Sequence, residues 1–161
     1  MTGKMSLLAL PLLAALACGG SKAPVVVVVS MDRVAQESVR AKRTIGEVEA
    51  FAKSVEDKLN QTADQLQAAA QDPRVSPADL RSMQAQWDQL RQEAEQQVDL
   101  RKRKAEEEIR GAVEEAVTTL AKEQGWELVI RKDDHSAMWA ADALDRTGLV
   151  IQRMDALAPG T

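Results

Sequence analysis

From Val34 to Leu120 apolar residues return every three or four positions, in two long runs interrupted once, at Asp72-Pro73. The first run alternates Ser38, Ile45, Ala52, Leu59 and Leu66 with Ala41, Val48, Val55, Thr62 and Ala69, which is an a/d heptad pattern. The second carries Leu80, Met83, Trp87, Leu90, Ala94 and Val98, then Ala105, Ile109, Ala112, Ala116 and Leu120. Pro73 disfavours helix at Asp72. Ser76-Pro77-Ala78-Asp79 offers a capping hydroxyl, a proline at the first helical position and a first-turn carboxylate. The spacing predicts an antiparallel helical hairpin over 34–124 with its tip at about 71–76. With the turn centred near Arg74, Leu80 falls opposite Leu66, Leu90 opposite Leu59, Val98 opposite Val48 and Ile109 opposite Ser38. The strict heptad slips between Asp99 and Glu108, where the coil is expected to unwind locally.

The period changes on both sides of the hairpin. Val25 to Val29 is an unbroken β-branched run between Pro24 and Ser30, the pattern of a strand buried on both faces. Residues 25–33 lead directly into the first arm, with Ser30 or Asp32 available as its cap. Gly125 ends the second arm, and Glu127-Leu128-Val129-Ile130 follows Trp126 as a second strand. Lys132 to Ser136 is a polar turn into a third apolar stretch, Ala137 to Ala140. Asp145 or Thr147 can cap a final helix, Gly148 to Leu157, with Leu149, Val150, Met154 and Leu157 on its apolar face. The fold class is mainly α with a small β body, formed by 25–33 and 125–161, from which a long antiparallel coiled-coil hairpin projects. Two helices of about 35 to 45 residues, roughly 50 to 70 Å long, bury one stripe each. Their base must be held by something else, and oligomerisation is the usual means.

Composition narrows the function. The 161 residues hold three Trp, one Phe and no Tyr against 29% charged residues, too few aromatics for a large compact core. The net charge of −4 argues against a nucleic-acid partner, whose phosphates require a basic surface. Residues 1–17 read as a signal peptide: Lys4, an apolar run from Ser6 to Ala17 too short to span a bilayer, and Ala15-Leu16-Ala17 before Cys18. That end matches a relaxed bacterial lipobox, which makes Cys18 the candidate lipid attachment site. A lone thiol in an exported chain otherwise lacks a pairing partner. Residues 18–24 form a short linker, so acyl chains on Cys18 would tether the module close to its membrane.

Candidate chemistry is sparse. Nothing pairs a nucleophile with a base, and no Gly-rich phosphate loop is present, so an enzyme is not indicated and no cofactor is called for. Asp133, Asp134 and His135 are adjacent in one turn, an arrangement that rarely converges on one metal ion. Lys102 with Glu106, Arg103 with Glu107 and Lys104 with Glu108 stand at i,i+4 and read as a solvated, ion-paired helix face. Trp87 falls at a seam position near Leu59 and Asn60. Were it to point between subunits, it would be a client contact.

Taken together, these residues resemble the Skp/OmpH family of periplasmic chaperones. The likeness rests on the leader, the apolar strand running into Met31-Asp32-Arg33-Val34, the hairpin, Gly125-Trp126-Glu127-Leu128-Val129-Ile130, Trp139-Ala140, and Asp145-Arg146-Thr147 before a short amphipathic helix. It covers essentially all of the chain after the leader, with Gly125, Trp126, Asp145 and Thr147 as the family motif. The resemblance implies a homotrimer whose strands and last helices build a shared body, with Val25, Val27, Val29, Leu128, Ile130, Trp139, Leu149 and Val150 as candidate trimer-body residues. It further implies an ATP-independent holdase in the periplasm of a Gram-negative bacterium, which encloses unfolded outer-membrane proteins between three hairpins. The best-known members are strongly basic and not lipidated, whereas this chain is acidic. The alternative is a structural or scaffolding envelope lipoprotein whose coiled coil is a spacer without clients. An efflux or secretion adaptor would need lipoyl-like halves flanking the hairpin, and the few residues between Ser21 and Val34 leave no room for one.

Overall fold

The computed structural model describes residues 23–132, 137 and 139–157. The expected signal peptide, Cys18 and the Asp133-Asp134-His135 turn lie outside the described residues. In chain order the elements are β1 (Val26–Val29), α1 (Met31–Glu37), α2 (Val39–Gln71), α3 (Pro77–Gln124), β2 (Leu128–Arg131), a one-turn 3-10 helix (Asp142–Leu144) and α4 (Thr147–Ala156).

α2 and α3 are the arms. At 33 and 48 residues they extend roughly 50 and 70 Å. The turn between them is tied by Asp72, whose carboxylate accepts hydrogen bonds from the Arg74 backbone N–H (2.9 Å) and guanidinium (2.8 Å). Ser76 caps α3, its hydroxyl oxygen accepting from the Asp79 N–H at 3.2 Å, with Pro77 next in line. α3 then runs unbroken through the heptad slip. Gly125 ends it in the left-handed conformation (φ 70°, ψ 35°), which a residue with a Cβ adopts only at a cost.

The heptad positions form the seam. Ile45, Val48, Ala52, Val55, Leu59, Thr62, Leu66 and Ala69 are half-buried on α2, as are Leu80, Met83, Trp87, Leu90 and Val98 on α3. Full burial is reached along α3 only at the alanines Ala94, Ala105, Ala112 and Ala116 and at Val113 and Leu120.

Two seam expectations are corrected. Leu90 lies by Leu59, lining one groove with Phe51, Val55 and Ala94. Two helices of equal rise then keep that register. Val98 accordingly shares a groove with Ala52 and Val55, while Val48 faces Lys102 and Ala105. Ile109 sits on the groove lined by Ala35 and Ile45, away from Ser38. Ser38 itself is no seam residue: it interrupts the first arm between α1 and α2 with extended backbone (φ −68°, ψ 133°).

In the body, β1 pairs parallel with β2, Val26 against Leu128 through Val29 against Arg131. A parallel pair needs a crossover, and here the crossover is the whole hairpin. On its other side β1 makes a bridge from Val28 to Asp145. Among the described residues of the third apolar stretch, Ala137, Trp139 and Ala140 belong to no strand. Val27, Val28 and Val29 are 2–3% exposed, and Val27 and Val29 share one core with Val34, Val113, Leu120, Trp126 and the α4 residues Val150, Ile151 and Met154. α4 starts at Thr147 and buries Val150, Ile151 and Met154. The expected apolar face was displaced: Leu149 and Leu157 remain exposed, because the helix turns its 147-150-151-154 stripe inward.

Candidate functional site

Three regions carry the residues singled out by sequence: a buckle inside the body, an apolar rim around it, and the inner stripe of the arms.

The buckle holds the motif residues. Thr147 is fully buried and its Oγ1 accepts the Ser30 N–H at 2.9 Å, joining the end of β1 to the start of α4. Asp145 accepts the Thr147 N–H at 2.8 Å and faces the Arg33 guanidinium of α1 at 3.3 Å. The Arg146 N–H bonds the Val28 carbonyl at 3.0 Å. Burial pushes the Asp145 carboxyl up, yet the Thr147 hydrogen bonds and the charges of Arg33 and Lys132 outweigh it and hold the group below its usual value. Trp126, directly after the Gly125 turn, is buried against the same core. Each motif residue therefore makes contacts within the chain. Among the described residues no group of His, Cys, Asp and Glu is arranged to hold a metal ion.

The candidate trimer-body residues divide into two sets. Val27, Val29 and Val150 are buried in the chain's own core. Val25, Leu128, Trp139 and Leu149 are exposed, at 38%, 50%, 82% and 37%, and Ile130 is half-buried. Leu144, which sequence reasoning did not single out, and Leu157, expected on the apolar face of the last helix, join the exposed set. Of these, Leu128 stands on β2, which among the described residues pairs only with β1 and so leaves one edge open. An open edge beside exposed large apolar side chains is a surface that ordinarily acquires a partner.

On the arms, Trp87 lies on the seam side. Its Nε1–H points at the Leu59 carbonyl at 3.5 Å, and the Arg91 guanidinium stands 5.4 Å from the ring. Phe51 is covered by Arg101 at 3.9 Å. Sequence reasoning missed this pair, since Phe51 is off the a/d register and Arg101 lies in the basic cluster. Glu108 likewise bonds across the arms, to Thr44 (3.4 Å) and Arg40 (3.9 Å), where a pairing with Lys104 was expected. Ion pairs of i,i+4 spacing do form at Arg91–Glu95 and Arg110–Glu114. No described helix is long and apolar enough to cross a membrane.

Comparison with known proteins agrees with this architecture. No curated protein matches the chain at a significant level. A crystal structure of a chain from Caulobacter crescentus CB15, described as an OmpH-like outer membrane chaperone, superposes with a TM-score of 0.62 at 17% identity, over 85% of this chain and 87% of that one. That likeness establishes the fold. The family described as Outer membrane protein (OmpH-like) matches residues 25–154, from the first strand to the buried end of α4. The chain belongs to the OmpH-like family.

Proposed function

We propose that this protein is an ATP-independent periplasmic holdase, a homotrimer joined through its body, whose hairpins enclose unfolded outer-membrane proteins. Family membership supports the chaperone class, and the structural relative is itself described as an outer membrane chaperone. The observation that carries the assembly is the exposed apolar surface of the body, Leu128, Trp139 and Leu149 above all, together with the open edge of β2, which a lone chain leaves in water. A body shared by three copies would cover that rim and hold the arms at their base. Client affinity in such a cavity comes from many weak apolar and electrostatic contacts along half-buried stripes, lost together when the client folds. Tethering through Cys18 would keep the cavity near a membrane.

The test has two arms. Sedimentation of the chain lacking residues 1–17 is expected to give a trimer, and a monomer at micromolar concentration would refute the architecture. An outer-membrane β-barrel protein diluted from urea should scatter less light in the presence of excess trimer. Unchanged scattering from an intact trimer would favour the scaffolding role, with the coiled coil as a spacer.

A further inference from the structure

The helix starts of the body and tip are capped from within. Ser30 Oγ accepts from the Arg33 N–H, and Ser76 Oγ accepts from the Asp79 N–H. α2 differs. Ser38 Oγ accepts from the Ala41 N–H at 3.1 Å, but the Val39 and Arg40 N–H groups are met by Asp155 of α4, through Oδ2 and Oδ1, each at 3.1 Å. The Ser38 hydroxyl donates to the same carboxylate at 2.6 Å. One side chain from the last helix thus satisfies the donors that the break leaves without intrahelical partners.

No proline or glycine forces the break. Ser38 holds ψ at 133°, where a helix needs about −40°. Were Ser38 helical, α1 and α2 would fuse, and the Val39 and Arg40 N–H groups would find carbonyls one turn back. The sequence therefore has two hydrogen-bonded arrangements at this point, and Asp155 stabilises only the broken one. The broken form also has a cost: Arg40 Nε is buried with no hydrogen-bond partner, its guanidinium reaching Glu108 at 3.9 Å. α4 is fixed to the opposite arm, since Arg153 forms a double hydrogen bond with Glu123 near the end of α3 and Met154 is fully buried.

From this we infer that Ser38 is a hinge between body and outgoing arm, and that Asp155 is its latch, so the seating of α4 on the returning arm sets the angle at which the hairpin leaves the body. Once the latch opens, a swing is resisted by the core packing of Ala41, the pairing of Arg40 and Thr44 with Glu108, and bending of the continuous α3. The inference concerns one chain and stands apart from client binding.

Spin-label distances test it. Labels go on Gln71→Cys at the tip and Gln152→Cys on the exposed side of α4, in a Cys18→Ser background. Labelled chains are diluted with unlabelled ones, so that only pairs within one chain are read. Asp155→Ala should broaden the tip-to-α4 distance distribution at least twofold with helix content unchanged, and the isosteric Asp155→Asn serves where the alanine variant fails to fold. A control pair at Gln124→Cys and Gln152→Cys should keep its distribution. An unchanged tip distribution in a folded variant overturns the latch. Broadening of the control pair overturns it as well, because α4 has then detached altogether.

Discussion

Thr147 has no exposed surface, and its hydroxyl oxygen is the acceptor for a backbone N–H at the end of β1. Replacing it by valine keeps the shape and strands the Ser30 donor in the core. We expect Thr147→Val to destabilise the chain by about 1–3 kcal/mol in urea unfolding, and Thr147→Ser to cost less. Asp145 beside it adds a pH dependence of known sign. Its folded pKa lies below that of an unfolded aspartate, so its contribution is complete above the ordinary carboxylate value of about 3.9 and is lost as pH falls through the folded pKa. Unfolding measured from pH 7 down to acid should lose stability in that window, and Asp145→Asn should flatten the loss. A profile as steep in the variant as in the parent would assign the effect to other carboxylates, such as Asp155, which is depressed by its hydrogen bonds to Ser38, Arg40 and Val39 against the opposing effect of burial.

Among the elements, the arms change character along their length. Near the body Ala105, Ala112, Ala116 and Leu120 are buried, whereas toward the tip the seam is half-buried except at Ala94. Amide hydrogen exchange should follow this gradient, fastest around Leu66 and Leu80 and slowest around Ala116. Uniform protection along α3 would mean that assembly, rather than the seam, stabilises the arms. The seam was legible in the sequence because a heptad is a local, periodic signal that burial reads out position by position. The break at Ser38 was not, because the carboxylate that holds it comes from Asp155, 117 residues along the chain. The register toward the base was missed for a different reason. Large side chains were matched pairwise, while equal helical rise, once Leu59 meets Leu90, dictates the partners of Val98 and Val48. The motif residues Asp145 and Thr147 were visible as cap candidates for the last helix and through family resemblance. Their joint role, one aligning the other to receive the Ser30 N–H, needed the chain folded.

On the scale of the whole molecule, the body presents apolar surface that the chain alone does not cover. Leu128 and Trp139 are the test positions, being exposed and apart from the core. Leu128→Glu should leave a folded monomer with near-parent helix content while abolishing trimer formation in sedimentation. A trimer surviving that change would remove β2 from the proposed interface. Sequence alone grouped Val27, Val29 and Val150 with these residues, since an apolar strand looks the same whether its own chain or a second copy covers it.

The parallel pairing of β1 with β2 has a kinetic side. Val26 meets Leu128, Ser30 meets Thr147 and Ser38 meets Asp155, so the body's closing contacts all span the hairpin. Closing so long a loop is entropically costly until the arms have doubled back, and contacts of this sequence separation slow folding. The tip, where Asp72, Arg74 and Ser76 bond within a few residues, is the cheapest place to start. Ser76→Ala should therefore act mainly on the folding rate, and Met154→Ala, in the last-formed core, mainly on the unfolding rate in stopped-flow chevrons. The reverse partition would place the nucleus in the body. A chain built this way zips from its far end inward, and its two ends meet only when the rest of the molecule has already turned the corner.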